Sequence, residues 1–219
     1  MKDNLEQILD SPYCLKNDTE QINWVDYRQN NIPDDLSEYQ GLFPSYVTSR
    51  INEKILEDNK KEELITYSLL QQSLEKYFGR QLCEIGIDVQ GKPYFEDHPN
   101  VHFNVSHSNG FSACAISLTK SVGVDIQTIV EYTHEFDFVL HKNEINLIDN
   151  EALKRRKDEL FTVIWSTKES YLKCLGTGID NNMQEIDFSN IIKSALILNN
   201  IKIYFKKFTD YILAYAYEL

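Results

Sequence analysis

The stretch VGVDIQTIV, residues 122–130, decides how the chain is read. Val122, Val124, Ile126, Ile129 and Val130 describe a strand bound for an apolar interior. Asp125 interrupts that run, and Gln127 follows two residues on. Side chains alternate across a strand, so Asp125 and Gln127 share one face. Aspartate is poorly suited to strands, and burying an unpaired carboxylate is costly. Asp125 therefore needs a partner from another element.

Working outward, KKEELITYSLLQQSLEKYF (60–78) has helical spacing, with Leu64, Leu70, Leu74 and Phe78 on a common flank and Gly79 as its stop. Strand-like pieces follow in EIGIDVQ and VHFNVSHS, with the turn QGKPYF between them, and then in FSACAISL. After residue 130 the pattern predicts helices over 136–149 and 151–175, the second closed by Gly176 and Gly178. EIDFSN, SALILNN, KIYFKKF and YILAYAYEL read as strands. A faint repeat joins the halves: helix, GIDV (86–89) and strands, then helix, GID (178–180) and strands. The expected fold is α+β, with two similar subdomains (1–119 and 120–219), each a long helix against a small antiparallel sheet. A cleft is expected between them, with Asp125 just past a seam near residues 119–122.

At 219 residues and 42% apolar content the chain can bury a sizeable core. No apolar run approaches the roughly 20 residues of a membrane span. The start, MKDNLEQILDSPYC, is acidic and lacks the basic and apolar regions of a signal peptide. Cys14, Cys83, Cys114 and Cys174 form no C-x-x-C pair and read as small, buried, reduced thiols of a cytoplasmic protein. A net charge of −12 argues against nucleic acid and anionic membrane as partners. An anionic ligand would have to bind at a local cluster of cations.

On the helix FTVIWSTKESYLKCLGTGI (161–179), Trp165, Glu169 and Lys173 form one stripe. The plain reading is a packed Trp above a weak surface ion pair. Asp125 changes it, because a strand carboxylate and a facing helix carboxylate can share a hard cation. Mg²⁺ takes one or two carboxylates and completes its shell with water and phosphate oxygens. Lys173 would meet the same phosphates, so the three residues fit a metal-bound pyrophosphate. Lys92 in GKPYF (91–95), with Ser106 and His107 in FNVSHSNG (103–110), is a second candidate cluster for phosphate. Ser106 and His107 are poorly placed as a hydrolase pair, since strand neighbours point apart. The spacing of His98, His102 and His107 matches no familiar zinc site. Glu144 reads as an ordinary exposed helix carboxylate, and LKRRKDE (153–159) as a solvated face able to meet an acidic partner.

Together GKPYF, FNVSHS, VGVDIQ and WSTKESYLKCLGTGI resemble the 4'-phosphopantetheinyl transferases, in particular the larger, pseudo-dimeric type that activates surfactin synthetase. The resemblance implies transfer of the phosphopantetheine arm of coenzyme A to a serine of an apo acyl or peptidyl carrier domain, releasing adenosine 3',5'-bisphosphate. It implies Mg²⁺, with Mn²⁺ as a substitute, held by Asp125 and Glu169. Lys173 would contact the phosphopantetheine phosphate, and Lys92, Ser106 and His107 the coenzyme phosphates. Glu144 corresponds to a glutamate proposed to deprotonate the serine, so the base is Glu169 or Glu144. Gln127 stands where the family motif has a third acid, and would reach the metal by its amide oxygen or through water. The helix before the GKP turn lacks the usual basic contact, leaving Lys60, Lys61 or Arg50. The expected partner presents an acidic helix beside its serine, in fatty-acid, polyketide or peptide synthesis, and the chain itself would act as a monomer. A non-catalytic coenzyme-binding relative and another Mg²⁺-dependent pyrophosphate-cleaving enzyme are the alternatives.

Overall fold

Glycine closes each of the two long helices, and each helix lies on an antiparallel sheet of its own. The computed structural model describes residues 8–9, 12–16, 20–30, 32, 36, 39, 41–178, 183–193 and 195–219. The chain divides into two units, Met1–Lys120 and Ser121–Leu219. Residues 1–7, 10 and 11 of the acidic N-terminal stretch lie outside the described residues. So do Ile179 and Asp180 of the second GID, and Ser194 of SALILNN.

The first unit runs β1 (Tyr13–Lys16), β2 (Glu20–Asp26), α1 (Ser45–Glu53), α2 (Glu57–Phe78), β3 (Ile85–Ile87), β4 (Pro93–Phe95), β5 (His102–Ser108) and β6 (Phe111–Ser117). Its sheet has the order β1-β2-β6-β5, and β3-β4 is a separate hairpin. Leu64, Leu70 and Leu74 of α2 are buried in the core with Val47, Phe95, Phe103 and Ile116. Gly79 ends α2 at φ 62, a left-handed cap that glycine reaches without strain. Asn109 and Gly110 join β5 to β6 at φ 45 and 86, the paired positive values of a tight type I' hairpin. The strand read into EIGIDVQ stops at Ile87 because Asp88 turns the chain. Its Oδ1 accepts the N–H groups of Gln90 and Lys92 at 2.8 and 2.9 Å.

The second unit runs β7 (Val122–Thr128), a 3₁₀ turn (His134–Val139), α3 (Lys142–Asp149), α4 (Lys154–Leu175), a 3₁₀ turn (Met183–Glu185), β8 (Leu196–Leu198), β9 (Ile201–Lys207) and β10 (Tyr211–Glu218). Its sheet has the order β7-β10-β9-β8. Part of the first unit's order recurs. In each unit a strand precedes a short helix and a 22-residue helix, and the last strand of the closing hairpin lies against that strand: β6 on β2, β10 on β7.

Several sequence expectations change here. The helix over 136–149 splits, because Leu140 and His141 are extended and His141 starts a new helix as N-cap. The helix expected from 151 begins at Lys154. EIDFSN is not a strand: its donors go to carboxylates, Phe188 N–H to Glu144 Oε1 and Ser189 N–H to Asp187 Oδ1, rather than to a neighbouring ladder. None of the four cysteines is in a disulfide; Cys114 and Cys174 are buried, Cys83 is half-buried, and Cys14 is exposed rather than buried.

Gly123 fixes how α4 meets β7. A Cβ there would stand 2.0 Å from the Ser170 carbonyl oxygen and 2.5 Å from the Cys174 nitrogen, so helix and strand backbones nearly touch. The face of Gly123, Asp125 and Gln127 is therefore the face turned to α4. Gly123→Ala should force helix and strand apart and lower unfolding free energy by about 3 kcal/mol, measured by urea denaturation. A loss within experimental error would contradict this packing.

Candidate functional site

Alternation along β7 delivers Asp125 to α4, and helical periodicity delivers Glu169 and Lys173 to Asp125. Asp125 is 3% exposed. Lys173 Nζ donates to Asp125 Oδ1 at 2.6 Å and stands 3.1 Å from Glu169 Oε2. One ammonium thus serves two carboxylates. Burial, and then the charge of Asp125, push the Glu169 carboxyl up to about 7, with Lys173 pulling the other way. Burial works to lower the Lys173 ammonium, but both carboxylates hold it above its ordinary value.

This donor set suits a hard divalent cation. Two close carboxylates carry more negative charge than one lysine neutralises, and a cation taking few protein ligands fits that surplus. Among the described residues no group of three His, Cys, Asp or Glu could hold a metal. The third position on this face is the half-buried amide of Gln127. The zinc reading of His98, His102 and His107 finds no such cluster either; His98 Nδ1 lies 3.0 Å from Arg80.

Glu144 has other duties. It is fully buried rather than exposed, as the N3 member of a capping box with His141. Oε2 accepts the His141 N–H at 2.7 Å and meets Lys168 Nζ at 2.6 Å; Oε1 accepts the Phe188 N–H at 2.7 Å. Lys168, which sequence reasoning passed over, also donates to the carbonyls of Val139 (3.0 Å) and Met183 (2.8 Å). This knot ties both 3₁₀ turns and α3 to α4. Its signal in the sequence is a lysine four residues from both Ile164 and Leu172, on the flank that α4 buries. Leu153, Lys154, Arg155 and Arg156 at the start of α4 are exposed.

In the first unit Lys92 lies in the turn of the β3-β4 hairpin, and Ser106 and His107 lie on β5 of the four-stranded sheet. Ser106 and His107 point to opposite faces of β5. His107 meets α2 instead: Nδ1 is 3.0 Å from Glu62 Oε2, and Nε2 is 3.8 Å from Glu63 Oε1. Burial works to lower His107, but the two glutamates push it up to about 9. That lies above its ordinary value of 6.5, so its stabilisation is complete below about pH 6.5 and lost as pH rises through about 9. Between about pH 6 and pH 10, wild type should lose up to roughly 3 kcal/mol more unfolding free energy than His107→Gln. Parallel pH profiles of the two proteins would contradict the pairing.

Among the described residues no helix is long and apolar enough to cross a membrane. Residues 121–216 match the family model described as the 4'-phosphopantetheinyl transferase superfamily. The chain is 36% identical over 90 residues to the 4'-phosphopantetheinyl transferase gsp of Aneurinibacillus migulanus, covering 41% of this chain and 36% of that one. It is 30% identical over 122 residues to a 4'-phosphopantetheinyl transferase of Bacillus subtilis, covering 53% and 52%. It is 29% identical over 147 residues to the 4'-phosphopantetheinyl transferase Sfp of Bacillus subtilis (strain 168), covering 63% of each. The chain thus spans less than two thirds of the length of these relatives. The match to the superfamily model lies within the second unit of the chain.

Proposed function

We propose that the chain moves the 4'-phosphopantetheine arm of coenzyme A onto a serine of an apo carrier domain, releasing adenosine 3',5'-bisphosphate. The observation that carries this reading is the convergence of Asp125 and Glu169 on Lys173. Asp125 and Glu169 would hold Mg²⁺, or Mn²⁺ in its place, with Gln127 reaching it directly or through water. When bound, the ion supplies positive charge to the pyrophosphate oxygens. Lys173, released from one of its carboxylates, turns to the phosphate and helps hold it in line for attack. The serine oxygen bonds to the β-phosphorus, and the bond from that phosphorus to the oxygen bridging it to the α-phosphate breaks. The serine proton passes to Glu169, directly or through a water. Glu144 is not assigned this role, because its oxygens already serve two backbone donors and Lys168. Leu153, Lys154, Arg155 and Arg156 offer an exposed apolar and basic footing for the acidic helix of a carrier. The same reading has the chain act as a monomer in the cytoplasm.

Release of adenosine 3',5'-bisphosphate should require coenzyme A, Mg²⁺ and apo carrier together. Release without carrier would instead identify a pyrophosphate-cleaving enzyme, and coenzyme binding without release a non-catalytic relative. Gln127→Glu adds a charged oxygen on the face of Asp125, so it should lower the Mg²⁺ needed for half-maximal rate several-fold. An unchanged requirement would remove Gln127 from the metal's surroundings.

A further inference from the structure

In the second unit the hairpin of β8 and β9 is lopsided. β8 pairs only with Ile201–Ile203, while β9 runs on to Lys207 and pairs along its whole length with β10. Among the described residues no backbone hydrogen bond reaches Tyr204–Lys207 from the β8 side. A cavity of about 200 Å³ is lined by Ile191, Ile192, Lys193, Ala195, Tyr204 and Phe205. Tyr204 and Phe205 point to opposite faces of the sheet, so a cavity touching both lies beside the strand, at its open edge. Phe205 packs on the core of the unit. Tyr204 is held by ring stacking on Tyr215 at 5.2 Å and Tyr217 at 6.0 Å, with Lys202 Nζ 5.0 Å from its centroid. The cavity walls are thus fixed before anything binds.

The charge of this edge differs from that of the rest of the chain. Between Asp187 and Asp210 there are four lysines and no acidic residue, against a net charge of −12 overall. Lys207 is taken by Glu159, but among the described residues Lys193, Lys202 and Lys206 have no carboxylate partner. An open strand edge offers N–H and C=O groups that another extended backbone matches group for group. The unmatched lysines call for carboxylates on that backbone. A second copy of β9 would set lysine against lysine, and a lipid surface would leave the edge unpaired. We propose that an extended acidic segment of a protein partner adds to β9 at Tyr204–Lys207 and sets one large apolar side chain in the cavity. This surface is separate from the carrier footing at residues 153–156 and does not depend on the transferase reading.

The probe is a fluorescein-labelled peptide of alternating glutamate and valine with one central phenylalanine, titrated with the full chain and followed by anisotropy. Wild type should bind it with a Kd on the order of 10–100 µM. Replacing the peptide's glutamates with lysines should weaken binding at least about tenfold. Methylating one set of alternate amides should abolish binding, and methylating the other set should change it by less than about twofold, because a strand pairs through one side only. Ala195 is exposed, so Ala195→Trp fills the cavity without disturbing the core and should weaken binding at least about tenfold. Lys193→Glu combined with Lys206→Glu should do the same through charge. No binding by wild type, equal effects of the two methylation patterns, or unchanged binding by both variants overturns the proposal. Uptake of the chain by phosphatidylserine vesicles that the peptide does not compete away assigns the edge to a membrane and overturns it. So does a dimer formed without peptide that Ala195→Trp abolishes, which assigns the edge to a second copy.

Discussion

Asp125→Ala is expected to lower the transfer rate by about 10³-fold or more while leaving the fold intact. The carboxylate removed is half of the proposed cation site and the nearer partner of Lys173, at 2.6 Å. Glu169 and Lys173 would remain as a single ion pair with no surplus negative charge to attract a divalent cation. The fold should survive for local reasons. Asp125 faces the small Ala214 across β10, and Lys173 keeps Glu169 at 3.1 Å with its own side chain 28% exposed. Removing Asp125 also relieves its repulsion of Glu169, so thermal stability should stay the same or rise slightly. Steady-state rates beside a thermal melt check both halves of the prediction. A near-normal rate would refute the metal assignment, and an unfolded variant would refute the claim that Asp125 serves the site rather than the scaffold.

Lys168→Met should have the largest effect on stability, a loss of about 3–5 kcal/mol. The ammonium is 2% exposed and answers Glu144 at 2.6 Å and two carbonyls. Methionine fills much of the volume but leaves Glu144 as a buried carboxylate without its counter-charge. Adding Glu144→Gln should recover part of the loss, because the amide oxygen can still accept one backbone N–H and no charge is stranded. Urea denaturation of the two single variants and the double variant gives the coupling directly. A loss below about 1 kcal/mol for Lys168→Met would contradict the account of this knot.

Much of the second unit is legible in the sequence because periodicity reports faces. The alternation of β7 puts Asp125 and Gln127 together, and the four-residue steps of α4 put Trp165, Glu169 and Lys173 in a stripe. Glycine marks both helix ends. Pairings between distant segments are not legible in this way. Lys168 finds Glu144 twenty-four positions away, and only the extended residues at 140 and 141 reveal that Glu144 begins a helix rather than lying mid-face. EIDFSN carries a strand's composition, but its donors are taken by Glu144 and Asp187. Glu62 and Glu63 read as polar residues early in a helix. Glu62 pairs with His107, and Glu63 with Arg50 and Lys54, in a part of the chain whose elements the sequence does not declare. The alternation that excludes Ser106 and His107 as a hydrolase pair is legible in the sequence, and the two residues do point to opposite faces of β5.

The central claim is that Asp125, Glu169 and Lys173 form the site at which coenzyme A yields its phosphopantetheine arm to a carrier serine. The intact mass of an apo carrier domain tests it most directly, after incubation with coenzyme A and Mg²⁺ and either the wild-type chain or Asp125→Ala. The account predicts that the carrier gains the mass of one phosphopantetheine with wild type and stays unmodified with the variant. A carrier left unmodified by wild type, or equally modified by both proteins, would contradict it.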